Sequence, residues 1–186
     1  MVKPIPRGHR HRAIYERVFE TILREHQIPY IAINDRKRPI VHNKKIKNFD
    51  FIVYSKNGKY LVDTKGTLFP YEMKSGYRIY WENWIKKEDS DGLLFWQQVF
   101  GGEFISLLAY VYLLADLHAA SLFKDIYEDG SNLFGLVAIT LSDYMVNRTM
   151  RAERWDAIYV PKEIFGSLVK PLSYFLPELH SHQPDE

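Results

Sequence analysis

A chain of 186 residues, 46% hydrophobic and 26% charged, is long enough to bury a full core and fits one domain. Its net charge of +2 is too small to announce nucleic-acid binding by itself, and the absence of cysteine excludes thiol catalysis, disulfides and cysteine-ligated zinc. The start, MVKPIPRGHRHR, has no apolar h-region and the apolar run Phe104 to Ala115 is too short to span a bilayer, so a cytoplasmic protein without membrane association is expected.

Arg12 to His26 predicts a first helix with Ile14, Tyr15, Val18, Phe19, Ile22 and Leu23 on one apolar face. Glu16 falls at the rim of that face and Glu20 further toward solvent. Pro29 to Asn34 predicts the first strand. The basic segment that follows holds Arg36, Lys37, Arg38, Lys44, Lys45 and Lys47. Such a run either neutralises phosphates or simply keeps a loop soluble.

Asn48 to Gly66, NFDFIVYSKNGKYLVDTKG, carries the most information. Asn57-Gly58 between apolar runs signals a hairpin, because a type I′ turn needs positive φ at both central residues. That turn pairs Lys56 with Lys59, which sets Asp50 opposite Lys65 and Ile52 opposite Asp63. Side chains alternate along a strand, so Asp50, Ile52 and Tyr54 share a face with Leu61, Asp63 and Lys65. Phe51, Val53, Tyr60 and Val62 form an apolar second face. Asp50 and Asp63 become diagonal neighbours, roughly 7–8 Å apart at Cα. Burying two carboxylates and an ammonium is costly unless they compensate one another or hold a metal. Converging carboxylates suit a hard cation, Mg²⁺ or Mn²⁺, with the Thr64 carbonyl as a further oxygen ligand. The plain alternative is an ordinary Asp63–Lys65 salt bridge on a solvated strand.

From Gly66 to Asp89 no clean period is visible, and a long irregular segment is often functional. Its Trp81 and Trp84 either stack bases or close a core edge. Ser90 or Asp91 can cap a helix running to Phe100, ended by Gly101-Gly102. Phe104 to Leu114 and Leu133 to Thr140 predict buried strands, and Trp155 to Val160 a short one. Pro161 opens a terminal helix. Residues 1–179 read as a single domain and 180–186 as a disordered tail. The fold class is α/β, a mixed central sheet flanked by helices.

This order, with an acid opening the second strand and D-x-K on the third, resembles the PD-(D/E)xK nuclease superfamily, the restriction endonuclease-like fold (αβββαβ). The resemblance implies Asp50 as the first acid and Asp63 and Lys65 as the tripeptide. Phe49 stands where the signature has proline. The resemblance also implies that Glu16 completes the metal site with Asp50, Asp63 and Thr64, and that Gln97 hydrogen-bonds beside it. The segments YERVFE, PYIAINDRKR, FDFIVYS, LVDTKG, WENW, FWQQVFG and MRAERWDAIYVP are similar to the HYExAFE proteins, a bacterial family. Ile14 replaces the histidine and Val18 the alanine of that motif, and Gln97 stands where the family has glutamate. Together these features imply metal-dependent hydrolysis of phosphodiester bonds in DNA. The alternatives are a nuclease-fold module that binds nucleic acid without cutting, and a protein-interaction module. Oligomeric state is left open, a homodimer included.

Overall fold

The computed structural model describes residues 9–34, 37–41, 43–73, 75–76, 78–151 and 153–180, with all their side chains except those of 9–12, 72, 79 and 153. Arg36 and residues 181–186 of the predicted tail at 180–186 lie outside the described residues, and His180 ends the short helix Pro177–His180. Among the described residues no helix is long and apolar enough to cross a membrane.

The centre is a seven-stranded mixed sheet. Its strands are β1 (Tyr30–Ala32), β2 (Phe51–Ser55), β3 (Gly58–Phe69), β4 (Phe104–Leu114), β5 (Ile126–Asp129), β6 (Asn132–Thr140) and β7 (Lys170–Pro171). The order is β1-β2-β3-β4-β6-β5, with β7 also against β6. The β3–β4 pair is parallel, from Lys59 opposite Phe104 to Phe69 opposite Leu114, and its neighbours are antiparallel. Parallel strands need a crossover, which runs through helix α2 (Lys87–Phe100).

Apolar alternation explains the layers. Helix α1 (His9–Glu25) packs Tyr15, Val18, Phe19, Ile22 and Leu23 against Phe51, Val53, Tyr60 and Val62, with Leu107, Ala109 and Val111 of β4. The opposite face carries Ile52, Leu61, Leu108, Tyr110 and Tyr112, covered by Leu93 of α2 and by Phe123, Tyr144 and Phe165. The predicted helix, the strands at Phe104 to Leu114 and Leu133 to Thr140, and both hairpin faces are all present. Burial of the central strands on both sides is why β3 and β4 read as near-continuous apolar runs.

Two boundaries differ from expectation. Helix α2 starts at Lys87, one turn before the predicted cap, and strand β3 continues to Phe69, through the start of the segment expected to be irregular. The hairpin register also differs. Ser55 pairs with Gly58, Tyr54 with Lys59 and Ile52 with Leu61, so Lys56 and Asn57 form the loop. Glu178, 122 residues away from Lys56, decides this. Its carboxylate accepts the Lys56 N–H at 2.6 Å and the Ser55 hydroxyl at 2.8 Å, while Asn57 Nδ2 donates to the Tyr174 carbonyl. A tertiary clamp outweighs the local Asn-Gly preference. Glu178→Ala is expected to cost roughly 1–3 kcal/mol, since two hydrogen bonds to a charged acceptor are lost. Urea unfolding measures it, and an unchanged midpoint would mean that other contacts hold the loop.

Candidate active site

The slip in register is two residues, so every side chain keeps its face. Asp50 moves from opposite Lys65 to the position facing Asp63, and its N–H donates to the Val62 carbonyl at 2.9 Å. Strand β2 begins at Phe51, opposite Val62, whereas β3 runs on for seven residues along β4. The sheet therefore splits beside Asp63. At that split Asp50 fills the vacated hydrogen-bonding position, accepting the Thr64 N–H on Oδ2 at 2.7 Å. Thr64 is buried, and its hydroxyl has no hydrogen-bond partner among the described residues.

Lys65 is the next residue on the same face as Asp63. Its Nζ lies 2.5 Å from Asp63 Oδ2 and 2.8 Å from Oδ2 of Asp89, on the first turn of α2. Asp89 also pairs with Lys47, and its Oδ2 accepts the Lys86 N–H at 3.3 Å. Lys47 is held by two contacts to its own backbone. Trp96 Nε1 donates to the Lys47 carbonyl at 3.0 Å, and Gly92 lets α2 approach, since a Cβ there would sit 2.6 Å from that oxygen.

The electrostatics follow from burial. Asp50, Asp63 and Asp89 are 4%, 1% and 7% exposed, and Lys47 is 7% exposed. Burial pushes the Asp89 carboxyl up, but Lys65 and Lys47 outweigh it and bring it from 3.8 down to about 2. Burial likewise opposes charge on Lys65, yet Asp63 and then Asp89 hold its pKa above the ordinary lysine value. Both groups are charged at neutral pH. The cluster thus joins three buried carboxylates with the ammoniums of Lys47 and Lys65.

Part of this cluster lines a cleft of about 720 Å³, while Asp50 and Asp63 are buried and do not line it. Lys47, Thr64, Lys65 and Asp89 line it, with Arg38, Lys86 and Arg151 adding positive charge and Tyr71 and Trp84 adding aromatic surface. From the other side of the sheet Tyr15 reaches the same cleft, its ring lying over Gly66. A Cβ on Gly66 would lie 2.0 Å from Tyr15 Cγ. Gly66→Ala must therefore displace a buried ring beside Lys65, and a loss of about 1–3 kcal/mol is expected. A thermal melt unchanged by Gly66→Ala would refute that contact.

Asp50, Asp63, Thr64 and Lys65 are brought together as the sequence suggested. Among the described residues no three carboxylate or imidazole groups converge in a metal-binding cluster, with Glu16 or without it. Helix α1 covers the face opposite Asp63, and Tyr15 is the side chain that reaches the cleft. Gln97 accepts the Ser106 N–H at 3.0 Å, at a position of β4 beside Leu61, so it fastens α2 to the sheet. Lys47 is buried against Asp89, which corrects its assignment to a phosphate-binding loop. Arg38 pairs with Glu88 at the rim, while Lys37, Lys44 and Lys45 are exposed. Trp81 packs among Phe69, Tyr112, Phe123 and Phe165 and closes a core edge, whereas Trp84 is 40% exposed. Asp89 escaped the sequence reading. Its signal was present, because Asp89, Leu93, Trp96 and Phe100 recur at helical spacing and Asp89 heads the inward stripe.

No family model matches the chain, and no curated protein matches it either. The chain is similar in structure to Hjc, a Holliday junction resolvase from the archaeal hyperthermophile Archaeoglobus fulgidus. That likeness has a TM-score of 0.50 at 9% sequence identity and covers 87% of this chain and 97% of that one. Identity this low speaks to the fold alone. The fold is a restriction endonuclease-like one, a mixed sheet flanked by helices in the expected order.

Proposed function

We propose that this chain is a metal-dependent nuclease hydrolysing phosphodiester bonds in DNA, a relative of the HYExAFE proteins. The observation that carries the reading is the grouping of Asp50, Asp63, Lys65 and Asp89 at the split of the sheet, with Lys65 and Asp89 lining a cleft that also holds Arg38, Lys86, Arg151, Tyr71 and Trp84. Grouping buried carboxylates is expensive, and a hard cation offsets that cost. Asp50 and Asp63, facing each other across the strand split, would hold Mg²⁺ or Mn²⁺ with the Thr64 carbonyl. The donors are all oxygen, which fits either ion. When bound, such an ion polarises the phosphoryl oxygen and lowers the pKa of a coordinated water.

The protein's own groups then have separate tasks. Lys65, kept charged by its two carboxylates, stabilises the charge that develops on the phosphoryl oxygens in the transition state. Asp89 positions that ammonium from α2. Arg38, Lys86 and Arg151 neutralise phosphates along the cleft. The test is incubation of purified protein with Mg²⁺ or Mn²⁺ and single- and double-stranded DNA and RNA. Cleavage by the native chain and none by Lys65→Ala is expected. Equal cleavage by both would sink the reading.

One observation favours a second reading, a nuclease fold that binds nucleic acid without cutting it. Lys65 is already committed to ion pairs with Asp63 and Asp89, as in a purely structural network. Binding with a steep salt dependence that survives Asp63→Ala, with no cleavage of any substrate form, would select it.

A further inference from the structure

Beside the cleft lies a second cavity of about 340 Å³, whose lining includes Glu82, Asn83, Trp84, Met150, Arg151 and Lys162. Glu82, Trp84 and Arg151 belong to both spaces, so the cavity continues the cleft that holds Lys65 and Asp89. Two indoles that the core does not use flank Arg151, Trp84 in the cavity lining and Trp155 outside it. Trp84 is 40% and Trp155 50% exposed, and the Arg151 guanidinium lies 5.3 Å from the ring centroid of each. Arg154 approaches Trp155 from a further direction, at 5.4 Å.

This arrangement is held by a rigid frame. The strand Ile85–Lys86 pairs with Ala157–Tyr159, which pairs in turn with Thr149–Met150. Trp84 precedes the first of these strands, Trp155 shortly precedes the second, and Arg151 follows the third. In this antiparallel register Arg151 and Trp155 stand at the Ala157 end of the small sheet and Trp84 at the Tyr159 end, and the Arg151 guanidinium reaches both rings. The Arg151 N–H donates to the Ala157 carbonyl, and the Lys87 N–H to the Asp156 carbonyl, both at 2.9 Å. Asn83, 4% exposed, fixes the loop from inside: its amide donates to the Trp81 and Val160 carbonyls, and its Oδ1 accepts the Val160 N–H. The hydroxyls of Tyr110 and Tyr144 donate to its carbonyl. Exposed indoles on so constrained a scaffold are presented surfaces.

We propose that Trp84, Arg151 and Trp155 form a stacking site for an unpaired nucleobase, so that the strand entering the cleft is single-stranded or branched at this point. This deepens the nucleic-acid reading above and does not depend on cleavage. An aromatic or guanidinium plane can stack only on a base whose own face is free, and bases inside a duplex have both faces covered. The cavity volume suits a ligand of that size. Arg151, Arg154 and Lys162 supply charge for the flanking phosphates. The Glu82 carboxylate, 3.9 Å from Arg151, is an acceptor for base N–H groups.

The test is equilibrium binding in the presence of EDTA, which separates recognition from any cutting. Fluorescence anisotropy compares a single-stranded oligonucleotide with a blunt duplex of the same sequence, for the native chain, Trp84→Ala and Trp155→Ala. The native chain is expected to bind the single strand about tenfold more tightly than the duplex. Each alanine variant is expected to lose most of that preference while its duplex affinity stays constant, and Trp84→Phe to keep it. Equal affinity for both forms, an unchanged preference in both alanine variants, or no binding to either nucleic acid would overturn the proposal. A preserved preference in a protein that cuts nothing with Mg²⁺ would sink the catalytic reading and uphold this one.

Discussion

Asp89→Ala is expected to be among the most destabilising single substitutions in this chain, by about 3–5 kcal/mol. Removing the carboxylate leaves Lys47 buried at 7% exposure without its ion-pair partner, and it strips Lys65 of one of two. It also deletes the acceptor for the Lys86 N–H at the start of α2. For a domain of this size that loss lowers the melting temperature by roughly 10 °C or more. Differential scanning calorimetry measures it, and a shift below about 2 °C would refute the network. The cause is desolvation of the orphaned ammonium, so the double variant Asp89→Leu with Lys47→Met should recover most of the loss. The same ion pairs set an acid limit. Because the folded Asp89 pKa is depressed from 3.8 to about 2, its contribution is present above the ordinary aspartate range and disappears as pH falls toward about 2.

Periodicity made the layers legible. The stripe Tyr15, Val18, Phe19, Ile22 and Leu23 names the buried face of α1, and the aliphatic and aromatic run of β4 names a strand covered on both sides. Register was less legible. Asn57-Gly58 is a local signal, and Glu178 overrides it from the far end of the chain. The site survived that error because a slip of two residues preserves alternation, which is why Asp50, Asp63 and Lys65 still share one face. Glu16 shows where a helical wheel stops: it locates the rim of an apolar face but not which side of the sheet the helix covers. Lys47 reads as one of several loop cations, and only the packing of α2 through Gly92 and Trp96 turns it inward. Trp81 and Trp84 are separated by two residues and have opposite fates, one in the core and one beside Arg151, because Asn83 pins the loop between them.

The largest functional effect should come from Asp63. If Asp50 and Asp63 hold the cation, Asp63→Asn removes a ligand charge and must abolish both cleavage and metal binding, whereas Lys65→Ala must abolish cleavage and spare metal binding. For Lys65→Ala a fall of roughly 10²–10³ in kcat is expected, the usual effect of deleting one preorganised group that stabilises transition-state charge. Metal binding has its own readout. A ligand that binds only the native state at a hundred times its Kd adds about 2.7 kcal/mol, which raises Tm. Native protein and Lys65→Ala should therefore melt higher in Mn²⁺ than in EDTA, and Asp63→Asn should melt at the same temperature in both. Glu128→Gln, an exposed carboxylate remote from the cleft lining, serves as the control and should behave as native. Native protein whose Tm ignores Mn²⁺ and which cuts no substrate form would make Asp50, Asp63, Lys65 and Asp89 a structural network and end the catalytic reading.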